Sequence, residues 1–198
     1  MSEIGTAAPG TEARPTSRIG TAARYLWPTA LAVAMSAATW GGGGDTGAQV
    51  TSLAQAFVLL PLLYLLVAKF QWRRGTWAVL AVLLVSFTAL EAVDVVDPAG
   101  VAAAVALAVL VWGAADGRLF RSGELQAQAL AMIGFGAVAL AGLIADPEAG
   151  RYIVAAGWFL HGIWDLVHLK LDKVVLRSYA LWCGVIDVLI AAQLIFFV

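Results

Sequence analysis

Cysteine is almost absent from this chain. Cys183 stands alone among 198 residues, which excludes intrachain disulfides and any zinc site built from several thiolates. By itself it reads as a small packing residue. Charge is scarce too. Only 13% of residues are Asp, Glu, Lys or Arg, where a soluble domain carries about a quarter. A formal net charge of -1 leaves no electrostatic footprint for nucleic acid. There is no Walker loop, no GxSxG elbow and no HExxH. The run Gly41 to Gly44 is not followed by Gly-Lys-Ser/Thr, so it reads as a flexible turn and not a phosphate cradle. No motif assigns a cofactor, and the cofactor is left open.

What is present is apolar sequence in blocks. Hydrophobic residues make up 62% of the chain and the mean hydropathy is +0.87. Seven blocks of about 20 residues, the length that crosses roughly 30 Å of hydrocarbon, occupy residues 25–42, 48–68, 76–96, 99–117, 125–145, 151–169 and 176–197. Backbone groups in lipid must be paired within the segment, so the expected fold is all-α, a polytopic bundle of seven transmembrane helices. Six spans result if the first block, interrupted by Pro28 and ending in the glycine run, only dips into the membrane.

Basic residues follow the same alternation. Arg14, Arg18 and Arg24 precede the first block; Lys69, Arg73 and Arg74 follow the second; Arg118 and Arg121 follow the fourth; Lys170, Lys173 and Arg177 follow the sixth. Of the 12 basic residues only Arg151 falls on the other side. The positive-inside rule then puts the N-terminus in the cytoplasm, with the chain multi-pass in a plasma membrane, the bacterial inner membrane. Residues 1–24, rich in Gly, Thr, Ala and Pro with two acids, read as a disordered cytoplasmic tail, and residues 25–198 as one bundle. The expected partners are the bilayer and a small or lipophilic ligand. Homo-oligomers remain open.

The best functional clue is the stretch HGIWDLVH at 161–168, which holds the only two histidines of the chain inside an apolar block. Ionisable groups at that depth are costly unless paired or functional. His161 and Asp165 share a helix face at i,i+4, about 6 Å apart along the axis, and Asp165 and His168 share it at i,i+3. His161 and His168 are about 10 Å apart, too far to hold one ion easily, whereas Asp165 can join either. Measured from the span ends, Asp116, Asp165 and His168 fall in the inner third. His161 and Asp187 fall near the midplane, and Glu91 and Asp94 in the outer third. A hydrogen-bonded His161–Asp187 pair is expected there.

There is also an internal echo. Asp97-Pro98 and Asp146-Pro147 open similar units, with Gly113 and Asp116 at the offsets of Gly162 and Asp165. A further Gly184-x-x-Asp187 runs the other way in the last block. Gly134, Gly136, Gly142, Gly157 and Gly162 suit close helix crossings, and Pro61 is expected to bend the second span.

A seven-helix plan raises retinal proteins, but the last block has no lysine to form a Schiff base. His161-x3-Asp165-x2-His168 on a late helix loosely resembles the membrane-embedded zinc hydrolases of the alkaline ceramidase and adiponectin-receptor group. The resemblance implies zinc held by late-helix histidines beside an aspartate. The chain departs from that pattern, with no histidines four apart and no third histidine.

Two functions stay open. Polar groups at several depths (Glu91, Asp116, His161, Asp165, His168 and Asp187) suit a proton or substrate path, and the leading expectation is proton- or ion-coupled transport of a small or lipophilic solute. The alternative is an intramembrane enzyme acting on a lipidic substrate, either metal-dependent or using His/Asp acid–base chemistry. His161, Asp165 and Asp187 would then be catalytic, with His161 and Asp165 the ligands of any metal.

Overall fold

Helix boundaries follow local capping chemistry. The computed structural model describes residues 18–39, 45–93 and 95–198, with backbone alone for 18–22 and 24. The described residues form helices and no strand: α1 (Arg18–Thr39), α2 (Thr46–Phe57), α3 (Leu59–Phe70), α4 (Thr76–Val93), α5 (Pro98–Ala115), the single turn α6 (Arg118–Arg121), α7 (Gly123–Ile144), α8 (Pro147–Leu171) and α9 (Arg177–Phe196). Asp97 accepts a hydrogen bond from the Gly100 amide, and Asp146 accepts from Glu148 and Ala149. Each aspartate is followed by proline at the first helical position, where its missing N–H costs nothing. The Asp-Pro echo in the sequence is therefore a repeated helix start. Pro61 leaves the Phe57 carbonyl without its helical donor, and the helix is interrupted at Val58, separating α2 from α3. The tail expected for 1–24 lies outside the described residues as far as residue 17, as do the glycine run 41–44 and Asp94.

Five stretches are long and apolar enough to cross a membrane: Thr46–Phe70, Arg73–Val93, Pro98–Ala115, Gly123–Ile144 and Arg177–Phe196. Of the seven blocks, α1 and α8 fall outside that set. α8 has ample length, 25 residues or roughly 37 Å, but its polar residues lower its hydropathy.

Those polar residues face inward. His161, Asp165 and Asp187 are fully buried, as are Lys69, Gln128 and Gln193 to within a few per cent. Phe159, Leu160, Ile163, Leu166 and Val167 of α8 are instead exposed, as are Val85, Leu107, Leu130 and Ile144 on other helices. This is the reverse of a water-soluble distribution, and it suits a lipid solvent.

The interior is built on α8 packed along α9, with α1 on the far side of α9 and with α2 and α7 against α8. α3 packs on α7, and α4 lies at the rim. Gly142 and Gly157 sit at tight crossings, against Val154 and against Val138 and Phe57. Gly134 faces open space and Gly136 touches only Met132 of its own helix, so those two do not serve the close packing the sequence suggested. α1 is tied to the end of α9 at Gln193: its Nε2 donates to the Thr39 carbonyl at 2.9 Å, and its Oε1 lies 2.9 Å from Thr39 Oγ1, whose one hydrogen is shared with the Ser36 carbonyl at 2.7 Å.

Candidate functional site: a buried His/Asp/Cys cluster

Two glycines bring the key side chains together. Gly162 on α8 lies where an added Cβ would sit 3.3 Å from Asp187 Cβ and 3.4 Å from the Gly184 carbonyl. Gly184 on α9 lies where a Cβ would sit 3.3 Å from Asp165 Cβ. The two Gly-x-x-Asp sequences therefore pack reciprocally, each glycine against the other helix's aspartate. Running the motif in opposite directions on neighbouring antiparallel helices is what brings the two carboxylates to one level.

His161 stands between them. Its Nδ1 is 2.8 Å from Asp187 Oδ2 and 3.2 Å from Asp165 Oδ2. A ring nitrogen carries one hydrogen, and the shorter, better aligned contact takes it. Nδ1–H donates to Asp187, and Asp165 Oδ2 receives no hydrogen bond. His161 Nε2 is also buried without a partner among the described residues. The imidazole is flanked by the rings of Phe57, Phe135 and Tyr64, whose centroids lie 5.0 to 6.0 Å from its own. The expected His161–Asp187 pair is thus present, with Asp165 as a third member.

Three further residues complete the site. Tyr64 on α3 donates its hydroxyl hydrogen to Asp165 Oδ1. Cys183 Sγ lies 3.5 Å from the Tyr179 hydroxyl and 3.9 Å from Asp187 Oδ1. One ligand atom from each of His161, Asp165, Cys183 and Asp187 falls within 4.8 Å of every other, and all four residues are buried. Cys183 is therefore part of the cluster and not merely packing. Its position was present in the sequence as an i,i+4 relation to Asp187, but a lone cysteine gave no reason to look. Tyr64 carried no local signal at all, since it reaches Asp165 from another helix.

The remaining candidates separate. His168 sits below the cluster, with Nδ1 2.9 Å from the Trp164 carbonyl and Nε2 3.1 Å from Gln128 Nε2. A carbonyl only accepts, so His168 donates through Nδ1 and accepts from the Gln128 amide at Nε2. The Tyr64 ring contacts both His161 and His168, which joins His168 to the cluster through an aromatic neighbour. Glu91 is exposed on α4 and lines a separate cleft with Gln55 and Asp97.

Asp116 belongs to a different site. It caps α5 and holds Lys69 Nζ at 2.5 Å, while that ammonium lies 4.6 Å from the Trp112 ring centroid. Lys69 is thus a buried lysine. The hydrogen bond from Lys69, aided by the Arg118 amide, holds the Asp116 carboxyl below its ordinary 3.8. A depressed acid contributes stability that is complete above its unfolded value and lost as pH falls through the folded value. The melting temperature of the wild type should therefore exceed that of Asp116→Asn at pH 7, with the gap closing below about pH 4. A gap that persists unchanged at pH 3 would remove the ion pair as its cause.

Comparison with known proteins finds no matching family, no matching curated protein and no matching solved structure. The site is therefore read from its own geometry.

Proposed function

We propose that the chain is an intramembrane enzyme whose His161, Asp165 and Asp187 bind a divalent metal beside Cys183, leaving the fourth position open to water or substrate, and that it acts on a lipidic substrate. The observation that carries this reading is the convergence of four ligand atoms within 4.8 Å, on four residues that are all buried. Ligands at 2.0–2.3 Å from a tetrahedral zinc stand roughly 3.4–3.8 Å apart. The candidate ligand atoms lie within 4.8 Å of one another, with His161 Nδ1 2.8 and 3.2 Å from the two carboxylates, so shifts of about an ångström would seat the ion.

Charge supports the same reading. Two carboxylates are buried beside one imidazole. A proton on the ring neutralises only one of them, and each uncompensated buried ion costs several kcal/mol. A divalent cation neutralises both. The mixed imidazole, carboxylate and thiol set favours zinc over magnesium or calcium, which prefer oxygen alone. Bound there, zinc would supply Lewis-acid activation of a carbonyl or of water. Among the chain's own groups, Tyr64 orients Asp165 through Oδ1 and leaves Oδ2 for the metal, as outer-shell donors do for ligating carboxylates. The Phe57 and Phe135 rings beside His161, with Trp158 packed on Phe57, keep water out and favour an apolar substrate.

Transport depends on polar groups linked through the depth of the membrane. Of that ladder, His161, Asp165 and Asp187 gather at one place, His168 is bonded to Gln128 and the Trp164 carbonyl, Asp116 is occupied by Lys69, and Glu91 stands apart. A focused site suits chemistry better than passage.

Wild-type protein purified in detergent should hold about one zinc per chain by elemental analysis. Asp165→Asn should lose most of it and, with it, any chelator-sensitive turnover of membrane lipids. Folded wild type without metal that moves solute under a pH gradient would overturn the enzyme in favour of the carrier.

Around this centre we propose seven spans in the bacterial inner membrane with a cytoplasmic N-terminus. α1 and α8 complete the five apolar stretches, and the lipid-facing residues of α8 support its inclusion. Cysteine introduced at 97–100 or 146–150 should react with an impermeant thiol reagent from outside, and cysteine at 71–75 should not. The buried native Cys183 keeps background labelling low. Equal labelling at 73 and 148 contradicts this orientation.

A further inference from the structure

At the basic end of the bundle a cleft of about 780 Å³ opens between the start of α1, the α3–α4 turn and the start of α9. Its lining joins two kinds of chemistry. Arg73, Arg74 and Arg177 bring guanidinium groups, while Trp27, Trp72 and Leu181 bring apolar surface. Arg73 is already committed: it pairs with Asp172 and donates to the Val175 carbonyl at 2.9 Å. That pairing cancels the one acid in the cleft. Arg74 and Arg177 are exposed, and neither has an ion-pair or hydrogen-bond partner among the described residues. Two unpaired guanidinium groups therefore face one cavity, rimmed by the aromatic residues that favour the headgroup layer.

We propose that this cleft binds the phosphate of an anionic lipid headgroup, held by Arg74 and Arg177. The guanidinium fork matches phosphate oxygens in bidentate geometry. The apolar half of the lining favours a phosphate attached to a lipid over inorganic phosphate, which would gain nothing from Trp27, Trp72 or Leu181. The cleft lies on the side proposed to be cytoplasmic, where anionic lipids attract basic residues.

Packed side chains connect the wall of the cleft to the buried cluster. Trp27, in its lining, contacts Trp77 at 5.4 Å between ring centroids, and Trp77 contacts Tyr179 at 5.8 Å. The Tyr179 hydroxyl in turn meets Cys183 Sγ. Arg177 and Cys183 share α9, six residues or about 9 Å apart along its axis. Resting on the enzyme reading above, this names the substrate class as a lipid carrying a phosphate near its reacting end.

Binding tests the site without relying on turnover. Delipidated protein in detergent is melted with phosphatidylglycerol, with phosphatidylcholine or with inorganic phosphate, and zinc is measured on the same samples. Phosphatidylglycerol should raise the wild-type melting temperature by about 5 °C, with the other two giving under a third of that. The Arg74→Gln/Arg177→Gln variant should lose most of the phosphatidylglycerol shift while keeping the wild-type zinc content, since both residues are exposed and remote from the ligand atoms. An equal shift from phosphatidylcholine, an undiminished shift in the double variant, or a full shift from inorganic phosphate alone would each overturn the headgroup site. A lipid shift that survives in wild type lacking zinc would uphold the headgroup site and count against the metal enzyme alone.

Discussion

Asp187→Ala should destabilise the protein by about 3–5 kcal/mol, the usual cost of removing one partner from a buried ion pair, and should abolish metal binding. The carboxylate is fully buried and accepts the Nδ1 hydrogen of His161 at 2.8 Å. Without it, His161 keeps one contact, the 3.2 Å approach of Asp165 Oδ2, and Cys183 loses its neighbour at 3.9 Å. Asp187→Asn retains shape and one acceptor oxygen, so it should recover part of the stability but little of the metal, because an amide is a poor ligand for zinc. That split separates a packing role from a ligating one. The two losses should also be coupled. His161→Ala and Asp187→Ala act on one network, so the double variant should be less damaged than the sum of the singles by about 1–3 kcal/mol. Melting curves in detergent together with elemental analysis read both quantities. An Asp187→Ala protein that melts like the wild type and keeps its metal would exclude this residue from the centre.

Fold class was legible because it depends on a one-dimensional signal. Apolar block length marks helices without any knowledge of neighbours, and the described helices α2–α3, α4, α5, α7 and α9 match blocks two to five and seven. α8 shows the limit of that signal. The polar residues that converge in the buried cluster also remove it from the set of plainly apolar helices, and only its outward apolar side chains suit a lipid solvent.

The site was legible in part for a similar reason. His161, Asp165 and His168 share a helix, so periodicity alone groups them, and matching depth suggested Asp187. Tyr64 and Gln128 come from α3 and α7, and their approach to Asp165 and His168 depends on packing that no spacing encodes. Depth also misled, because residues at similar levels can face different ways. Asp116 has the sequence relation to Gly113 that Asp165 has to Gly162, yet it serves Lys69 at another edge of the bundle.

Gly162→Leu and Gly184→Leu should each abolish metal binding, because these glycines set the distance between the two ligand-bearing helices. Even alanine would place a Cβ 3.3 Å from the opposing aspartate Cβ in either position. That is closer than such atoms normally pack, and relief requires α8 and α9 to part by a few tenths of an ångström. The ligand atoms on the two helices would separate by a similar amount, so each alanine variant should weaken zinc binding by about tenfold, the effect usual for a disturbed outer shell. Stability should respond differently. Alanine is favoured over glycine in a helix interior by about 1 kcal/mol, which offsets the strain, so the alanine variants should melt near the wild-type temperature. Leucine adds atoms that cannot fit between the helices, and the overpacking should cost about 1–3 kcal/mol besides the metal. Zinc titration followed by competition with a chelator, run beside melting curves, distinguishes loss of geometry from loss of fold. Wild-type zinc affinity in Gly184→Leu would mean that the reciprocal Gly-x-x-Asp crossing does not assemble the centre.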